Sequence, residues 1–307
     1  MRSMSVCFWG TRGSIPTPGP KTAKYGGNTT CLEIRHADTR IIIDAGSGIR
    51  ELDNAWRSEC GDGRIDATLL FTHLHQDHIQ GFPFFSSAYS PQNTFVIYGP
   101  GSNSQAIGDL LSQHMQKEFF PVPLSAMQAR LEFRNATDDF QIDDVTVRTF
   151  PLPHKGGCLS YRLEAGKAVF IMATDCELDQ AAKNASQLNT DFSAPRIYDD
   201  ALREFFRGAG LLVIDCQYTD DEYRNRAGWG HNSITTVADF CHQVRPQKVA
   251  LFHHDPESND ATVAEFVSEV RQRLADRGVS SQDVFVFAAR EQLTVEVADE
   301  IRRSPLL

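Results

Sequence analysis

Residues 68–78 read TLLFTHLHQDH, an apolar run that leads directly into four potential metal ligands within six positions. In an extended chain, His73, His75 and Asp77 project to one side, because side chains alternate with a period of two. His78 breaks this alternation, so we expect the chain to turn there and to present His78 to a second centre. Imidazole and carboxylate ligands without thiolates suit zinc, iron or manganese. The stretch therefore predicts a metal site at the end of a strand.

Short β-rich runs alternate with polar, helix-compatible stretches on both sides of this segment. Strands are predicted at residues 5–9, 30–35, 40–43, 67–72, 94–98, 145–150, 159–164, 168–172, 211–214, 248–252 and 284–288. Helices are predicted at residues 104–119, 199–208, 233–243 and 261–277. Strands that cluster early and again after the middle, with helices between and at the end, favour sheet packed on sheet with outer helices.

The pattern HxHxDH at a strand end resembles the signature of the metallo-β-lactamase fold. Seven further segments resemble motifs of that family and occur along the chain in the same order as in the family. They are GTRGSIP at 10–16, YGGNTT at 25–30, IDAGSG at 43–48, PHKGG at 153–157, ATD at 173–175, GWGHNS at 228–233 and LFHHD at 251–255. They look like the phosphodiesterase-like branch, which includes ribonuclease Z and a cyclic phosphodiesterase. The resemblance implies an α/β fold, a four-layer αββα sandwich with metals between the sheet edges. We expect residues 1–307 to form one domain, with residues 179–210 as a candidate insertion and residues 179–198 rich in loops.

The resemblance also implies a set of metal ligands. It places one ion on His73, His75 and His154 and a second on Asp77, His78 and His253, with Asp175 bridging both. The strand run at 248–252 leaves His253 and His254 equally placed at its end, and the family pattern selects His253. The resemblance thus implies two divalent metal ions. Zinc is expected first, and manganese and iron are alternatives that the same ligand types accept.

Two divalent ions that share a carboxylate and a water lower the pKa of that water, so the ligand set implies hydrolysis by a bridging hydroxide. Asp77 can both bind metal and accept the proton of the water. His231 is not needed for either metal shell, and it can stabilise phosphate charge or protonate the leaving group; the alternative is a capping or loop histidine before the helix predicted from Ser233. Asp215 either orients His231 or is a simple strand-end carboxylate. Asp44 is expected to steady a ligand histidine or its loop.

Three functions of different classes are compatible with these motifs. The first is a dinuclear metal phosphodiesterase that acts on a cyclic or short nucleotide-like ester, supported by the ligand set and by the GWGHNS segment at residues 228–233. The second is a hydrolase of the same fold that acts on a lactone, thioester or lactam, for which His231 is not needed. The third is a non-catalytic metal-binding module, against which the intact ligands argue. We expect the first, a phosphoric diester hydrolase.

The overall charge bears on the size of the substrate. Thirty Lys and Arg against 40 Asp and Glu give a net charge of −10, without any run of five basic residues. A protein of this charge does not attract a long polyanion by its overall field, so large nucleic acids are disfavoured. We expect a small phosphodiester substrate, whose charge one or two cations can balance, and the candidates are Arg12, Arg50 and Lys155.

Cysteine usage and hydropathy indicate where the protein works. The seven cysteines are scattered and never in CxxC spacing, which favours free thiols in a reducing compartment over disulfides or a thiolate metal site. No apolar run approaches the roughly 18 residues that cross a bilayer, and the first residues lack the pattern of a signal peptide. We therefore expect a cytoplasmic protein without membrane contact, for which a homodimer stays open.

Overall fold

Two seven-stranded sheets pack against each other in the computed structural model, which describes residues 3–100, 104–136 and 139–297. In spatial order, with strands numbered along the chain, the first sheet contains β14 (Thr294–Glu296), β1 (Met4–Gly10), β2 (Cys31–His36), β3 (Thr39–Ile43), β4 (Asp66–Leu70), β5 (Thr94–Gly99) and β6 (Arg130–Asn135). The second sheet contains β13 (Phe285–Ala288), β12 (Lys248–Phe252), β11 (Leu211–Asp215), β10 (Ala168–Ala173), β9 (Cys158–Ala165), β8 (Val145–Leu152) and β7 (Phe140–Ile142).

Helices cover the outer faces of both sheets. The helices are α1 (Ile49–Cys60), α2 (Gln76–Ile79), α3 (Ser104–His114), α4 (Leu178–Ala181), α5 (Ala185–Leu188), α6 (Asp200–Phe206), α7 (Asp220–Arg226), α8 (Ile234–Val244) and α9 (Asp260–Asp276). Buried residues of α1 and α3 pack on the first sheet, and those of α6, α8 and α9 pack on the second. This order of helix, sheet, sheet and helix confirms the predicted αββα sandwich. Within the described ranges, no helix combines the length and apolarity that crossing a bilayer requires.

Side-chain alternation in the central strands divides the core into layers. In β10, Phe170 and Met172 belong to the layer between the sheets, whereas Ile171 belongs to the layer under the outer helices. In β4, Leu70 faces the other sheet and Leu69 faces the side of α1 and α3. Because β10 packs on both faces, its sequence AVFIMA is a continuous apolar run, and the end of β4 that leads to His73 is apolar as well. The strands that lead into the candidate site are therefore held by packing on both sides.

The elements outside the predictions include α1 and three strands, β6, β7 and β14. All three strands lie at sheet edges, where a strand pairs on one side only. Such strands need few apolar residues, so their sequences do not show a clear strand pattern. In α1, Ile49, Leu52 and Trp56 are buried at helical spacing. Most residues between them are polar, so the apolar face of this helix is difficult to recognise in the sequence. The helix predicted at residues 104–119 ends earlier, at His114.

A buried cation fixes the connection between β10 and β11, which carries α4, α5 and α6. Arg196 is 3% exposed, and its Nε and Nη2 donate to the two carboxylate oxygens of Asp179, each at 2.9 Å. Its Nη1 donates to Asp239 of α8 at 3.2 Å. The ring of Phe192 lies against the guanidinium, with 4.4 Å between Cζ and the ring centroid. This ion cluster ties the connection to α8.

We expect Arg196→Met to lower the free energy of unfolding by about 3–5 kcal/mol, because it leaves the buried carboxylate of Asp179 without its cation. Urea unfolding measures the change. The matched control is Arg203→Met, which removes an ion pair between Arg203 and Asp200 at the surface and should cost less than about 1 kcal/mol. Equal, small losses in the two variants would show that the buried cluster does not hold the connection.

Candidate metal centre

The predicted ligands follow the carboxyl ends of strands from both sheets. His73 comes after β4, His154 after β8, Asp175 after β10 and His253 after β12. The strands β10, β11 and β12 are parallel, as are β3 and β4, and the carboxyl ends of parallel strands meet at the same edge of a sheet. The two sheets thus bring residues that are far apart in sequence to one place.

The first group consists of His73, His75 and His154. Each offers a nitrogen within 4.8 Å of the others, and His154 Nε2 lies 3.1 Å from His75 Nδ1. His73 Nδ1 contacts the hydroxyl of Thr72 at 3.1 Å, while its Nε2 is buried and has no hydrogen-bond partner among the described residues. His75 is exposed, so this group opens to solvent.

The second group consists of Asp77, His78, Asp175 and His253, all buried. Asp77 Oδ2 lies 3.1 Å from His253 Nε2 and 3.3 Å from His78 Nε2. The same oxygen accepts the backbone N–H of Ser14 at 2.7 Å. Nε2 of His78 is also buried, and although it lies near carboxylate oxygens of the second group, none of the described residues forms a hydrogen bond of acceptable geometry with it.

Asp175 lies between the two groups. Its Oδ2 is 3.1 Å from Nε2 of His78 and 3.1 Å from Nε2 of His253. Its Oδ1 is 3.9 Å from Nε2 of His73 and 3.9 Å from Nε2 of His154. One oxygen of this carboxylate thus faces each group.

The chain turns earlier than the alternation predicts. Helix α2 begins at Gln76, directly after His75, so the expectation that Asp77 projects with His73 and His75 is wrong. Asp77 and His78 are neighbours in the first turn of α2, and the structure places both in the second group. The tight turn, rather than strand alternation, separates the two groups.

His253 and His254 have different surroundings. His253 Nε2 points into the second group, and Gln217 Nε2 lies 3.2 Å from its Nδ1. His254 Nε2 lies 3.0 Å from the carbonyl oxygen of Ala289, and burial lowers the pKa of His254 to about 3. His254 is therefore a neutral core residue that does not reach the cluster.

Three residues that follow strands at the centre have left-handed backbones. The φ angles are 61° at Asp44, 51° at Asp175 and 55° at His253. This region is unfavourable for residues other than glycine, and each case costs of order 1–3 kcal/mol. At these turns the side chains of Asp175 and His253 meet in the second group and that of Asp44 contacts His78, so the strained backbone lies where the cluster is assembled.

Asp44 holds both His78 and the segment before the first ligand. Its Oδ2 lies 2.8 Å from His78 Nδ1, and its Oδ1 accepts the backbone N–H of Thr72 at 2.8 Å. A histidine that donates one ring N–H to a carboxylate presents its other nitrogen in a fixed tautomer and direction. Asp44 therefore contacts both the candidate ligand His78 and the segment before His73, as its predicted supporting role requires.

Buried charges of opposite sign determine the protonation of the centre. Burial disfavours the charge of Asp77 and Asp175, but neighbouring His78 and His253 outweigh it and hold the pKa of both carboxyls well below the usual range. Burial opposes the charge of His78 too, yet Asp77 and Asp175 raise its pKa well above the ordinary value. Burial and the nearby His78 lower the pKa of His73. Both carboxylates are thus ionised and available to cations.

The residues present fit divalent metal ions. The cluster contains five imidazoles and two carboxylates, a nitrogen and oxygen donor set that suits zinc, manganese or iron. Buried polar atoms normally have partners, and the unpartnered Nε2 atoms of His73 and His78 both lie near Asp175. Cations between these atoms would satisfy them and balance the two carboxylates.

His231 lies at the margin of the cluster and is paired with Asp215. Its Nδ1 is 3.0 Å from Asp215 Oδ2, and its ring centroid is 5.1 Å from that of His253 and 5.9 Å from that of His154. Asp215 is fully buried and also accepts a hydrogen bond from Asn232 at 2.6 Å. This geometry favours the orienting role of Asp215 over that of a simple strand-end carboxylate.

The three candidate cations have different positions. Arg12 is fully buried and donates to three backbone carbonyl oxygens, so it links loops and its prediction as a substrate cation is wrong. Arg50 is exposed and paired with Glu51. Lys155 is exposed directly after His154, beside the first group.

Glu177 positions the turn before His231, a role that no sequence pattern indicates. Its buried carboxylate accepts the backbone N–H of Gly228 at 2.7 Å, that of Gly230 at 3.0 Å and the hydroxyl of Tyr223 at 2.7 Å. Gly230 has a φ of 94°, and a Cβ there would lie 2.3 Å from His154 Nδ1. The turn therefore packs directly on the first group.

Comparison with known proteins agrees with this architecture. Ribonuclease Z of Natronomonas pharaonis is 23% identical over 288 residues, which covers 82% of this chain and 87% of that protein. The structure of unliganded yeast PDE1 is similar with a TM-score of 0.66 at 16% identity, covering 96% of this chain and 100% of that one. A diphosphatase from the PhnP family has a TM-score of 0.63 at 14% identity, covering 95% and 97%.

The family itself follows from the match to a family model. Residues 39–254, most of the chain, match the model described as the beta-lactamase superfamily domain. This range contains all seven predicted ligands together with Asp44, Asp215 and His231. The protein therefore belongs to the beta-lactamase superfamily.

Proposed function

We propose that this protein is a metal-dependent hydrolase of phosphodiesters that binds two divalent ions, zinc first, in a seven-residue cluster. The seven-residue cluster consists of His73, His75, Asp77, His78, His154, Asp175 and His253. The observation that supports the proposal most strongly is the position of Asp175, with one oxygen 3.1 Å from nitrogens of the second group and the other 3.9 Å from nitrogens of the first. A carboxylate placed in this way is suited to bridge two ions.

The bound ions would neutralise the charge on phosphate oxygens and lower the pKa of a water molecule. Asp77 is the carboxylate of this chain best placed to take up a proton beside them, because its Oδ2 faces the second group and is held by the N–H of Ser14 at 2.7 Å. That hydrogen bond and the contact with His253 at 3.1 Å fix the carboxylate in one orientation. Asp77 would thus both bind metal and accept the proton.

His231 is the second functional residue in the proposal. Because Asp215 Oδ2 lies 3.0 Å from its Nδ1, Nε2 is the ring atom left for a substrate. An imidazole in this position can donate a proton to the leaving oxygen or stabilise charge on the phosphate. The contact of its ring with those of His253 and His154 places it beside both groups.

We infer a small phosphodiester, cyclic or linear, as the substrate. The net charge of −10 supports this choice, because a long nucleic acid requires many cations along its path. Relatives named ribonuclease Z support the phosphodiester bond as the target but favour RNA as its carrier. Direct competition between a dinucleotide and a folded RNA with the same bond therefore decides the size of the substrate.

The experiment that tests the proposed function combines metal analysis of the purified protein with a panel of substrates. We expect about two divalent ions per chain. We also expect the phosphodiesters of the panel, which are bis(p-nitrophenyl) phosphate, cyclic nucleotides and dinucleotides, to be hydrolysed faster than the lactones and thioesters. A chelator should remove this turnover, and zinc, manganese or iron should restore it. Faster turnover of lactones or thioesters would assign the site to ester hydrolysis instead, and no turnover with two ions bound would leave a metal-binding module.

We also infer that the protein works in a reducing compartment such as the cytoplasm. All seven cysteines are free, and five of them are buried. Free thiols in this number are typical of proteins kept in a reducing environment.

A further inference from the structure

Trp229 is an exposed aromatic side chain in the turn that leads to the candidate centre. Its exposed fraction is 62%, although indoles are usually well buried. It follows Gly228 and precedes Gly230, whose backbone packs on His154 of the first group. A large apolar side chain therefore lies in solvent two residues from His231.

The turn that carries Trp229 is held rigidly. The carboxylate of Glu177, 2% exposed, accepts the backbone N–H groups on both sides of Trp229, from Gly228 and Gly230. Two charge-assisted hydrogen bonds to one buried carboxylate fix a short turn well. The exposure of Trp229 is thus imposed by its buried supports and does not come from an unanchored loop.

A continuous series of rings and one cation connects Trp229 to the cluster. The centroids of the His231 and Tyr218 rings are 5.9 Å apart. The guanidinium carbon of Arg226 is 4.9 Å from the Tyr218 ring and 5.9 Å from the Trp229 ring. Arg226 therefore contacts both rings, and its Nη1 is 3.4 Å from Asp255 Oδ2.

This arrangement has the chemistry of a base-binding surface. Nucleobases stack on exposed aromatic side chains and on arginine planes, and an arginine in contact with two rings keeps its orientation through cation–π contacts. The side chain of Arg226 is 30% exposed, so its N–H groups can reach carbonyl acceptors of a base. A generic small ester would use neither feature.

We propose that Trp229 and Arg226 recognise a nucleobase on the phosphodiester that binds at the seven-residue cluster. This inference rests on the proposed function and narrows its substrate to an ester with at least one nucleoside. Trp229 supplies the stacking face, and Arg226 holds the indole and donates hydrogen bonds to the base. Both are recognition residues and take no part in bond cleavage.

The test compares two esters that release the same p-nitrophenol: the p-nitrophenyl ester of thymidine 5′-monophosphate and methyl p-nitrophenyl phosphate. The measured quantity is the ratio of kcat/KM for the thymidine ester to that for the methyl ester. Trp229→Ala should lower this ratio about tenfold, mainly through KM, and Arg226→Met should lower it about threefold. Trp229→Phe keeps an aromatic face and should retain most of the ratio.

Phe119→Ala is the matched control, because Phe119 is an exposed aromatic residue, 79% exposed, outside the series described above. This variant should leave the ratio unchanged. If Trp229→Ala lowers kcat/KM for both esters equally, or for neither, the base-recognition inference is wrong while the proposed function stands. Turnover of neither ester by the wild-type protein would instead contradict the proposed function.

Fluorescence gives a second measurement that does not depend on turnover. Of the three tryptophans, Trp56 is fully buried and Trp229 is 62% exposed. Thymidine 5′-monophosphate should quench the emission of the wild-type protein, and Trp229→Phe should lose most of that quenching. Equal quenching in the two proteins overturns the inference, whatever the esters show.

Discussion

Replacing Asp175 by asparagine is expected to reduce hydrolysis of bis(p-nitrophenyl) phosphate by at least about a thousandfold. The substitution keeps the size of the side chain and removes a negative charge that lies within 3.9 Å of both groups of the cluster. A shared carboxylate is the ligand whose loss affects two ions at once, and a thousandfold loss corresponds to roughly 4 kcal/mol of transition-state stabilisation. Steady-state kinetics measures the loss.

Metal content distinguishes this effect from misfolding. We expect Asp175→Asn to hold about one divalent ion or fewer per chain, while its circular dichroism spectrum stays that of the wild type. Asp200→Asn is the matched control, because the side chain of Asp200 is 89% exposed and lies outside the cluster. Two ions and full activity in Asp175→Asn would remove Asp175 from the centre and with it the main support for the proposed function.

The parts of the centre that the sequence predicts directly are those that are close along the chain. The segment from His73 to His78 is recognisable because an apolar strand runs into it, and the resulting metal prediction agrees with two groups of ligand atoms, each within 4.8 Å. Its internal geometry was harder to predict. Alternation assumes an extended chain, whereas α2 begins at Gln76, and a change from strand to helix moves the next side chains to a different face.

The distant ligands depend on the pairing of strands. Asp77 and His253 are 176 positions apart, and their meeting requires two sheets with defined strand orders. Periodicity predicts strands one at a time but does not order them, so only the family resemblance identifies His154, Asp175 and His253 as ligands. The structure places all three in the cluster.

Residues such as Glu177 and Arg226 were not predictable from local patterns. The contacts of Glu177 reach the backbone of a turn 51 and 53 positions away, and this geometry exists only after the second sheet has formed. A glutamate two residues after Asp175 has no feature in the sequence that distinguishes it from a surface residue. Arg12 is the opposite case. It lies in a segment that resembles the family and is predicted to contact the substrate, but it is buried and joins loops instead.

His231→Ala is expected to lower the turnover of a dinucleotide by about 10²–10⁴-fold, the range typical of a lost general acid. The alkoxide that leaves from a dinucleotide is a strong base and needs a proton as the bond breaks. The p-nitrophenolate that leaves from bis(p-nitrophenyl) phosphate is a weak base, so its turnover should fall far less. The dependence on the leaving group thus separates proton donation at Nε2 of His231 from charge stabilisation, which would affect both substrates alike.

Asp215→Asn provides the matched test of orientation. Asp215 Oδ2 lies 3.0 Å from His231 Nδ1 and the carboxylate is fully buried, so an amide there keeps the shape but no longer fixes the tautomer of the ring. We expect a loss on the dinucleotide that is smaller than that of His231→Ala and has the same dependence on the leaving group. If His231→Ala reduces neither substrate, His231 is a loop histidine, and a lactone or thioester hydrolase, for which this residue is not needed, becomes the better assignment. A large loss confined to the dinucleotide supports a phosphodiesterase in which His231 protonates the leaving alkoxide.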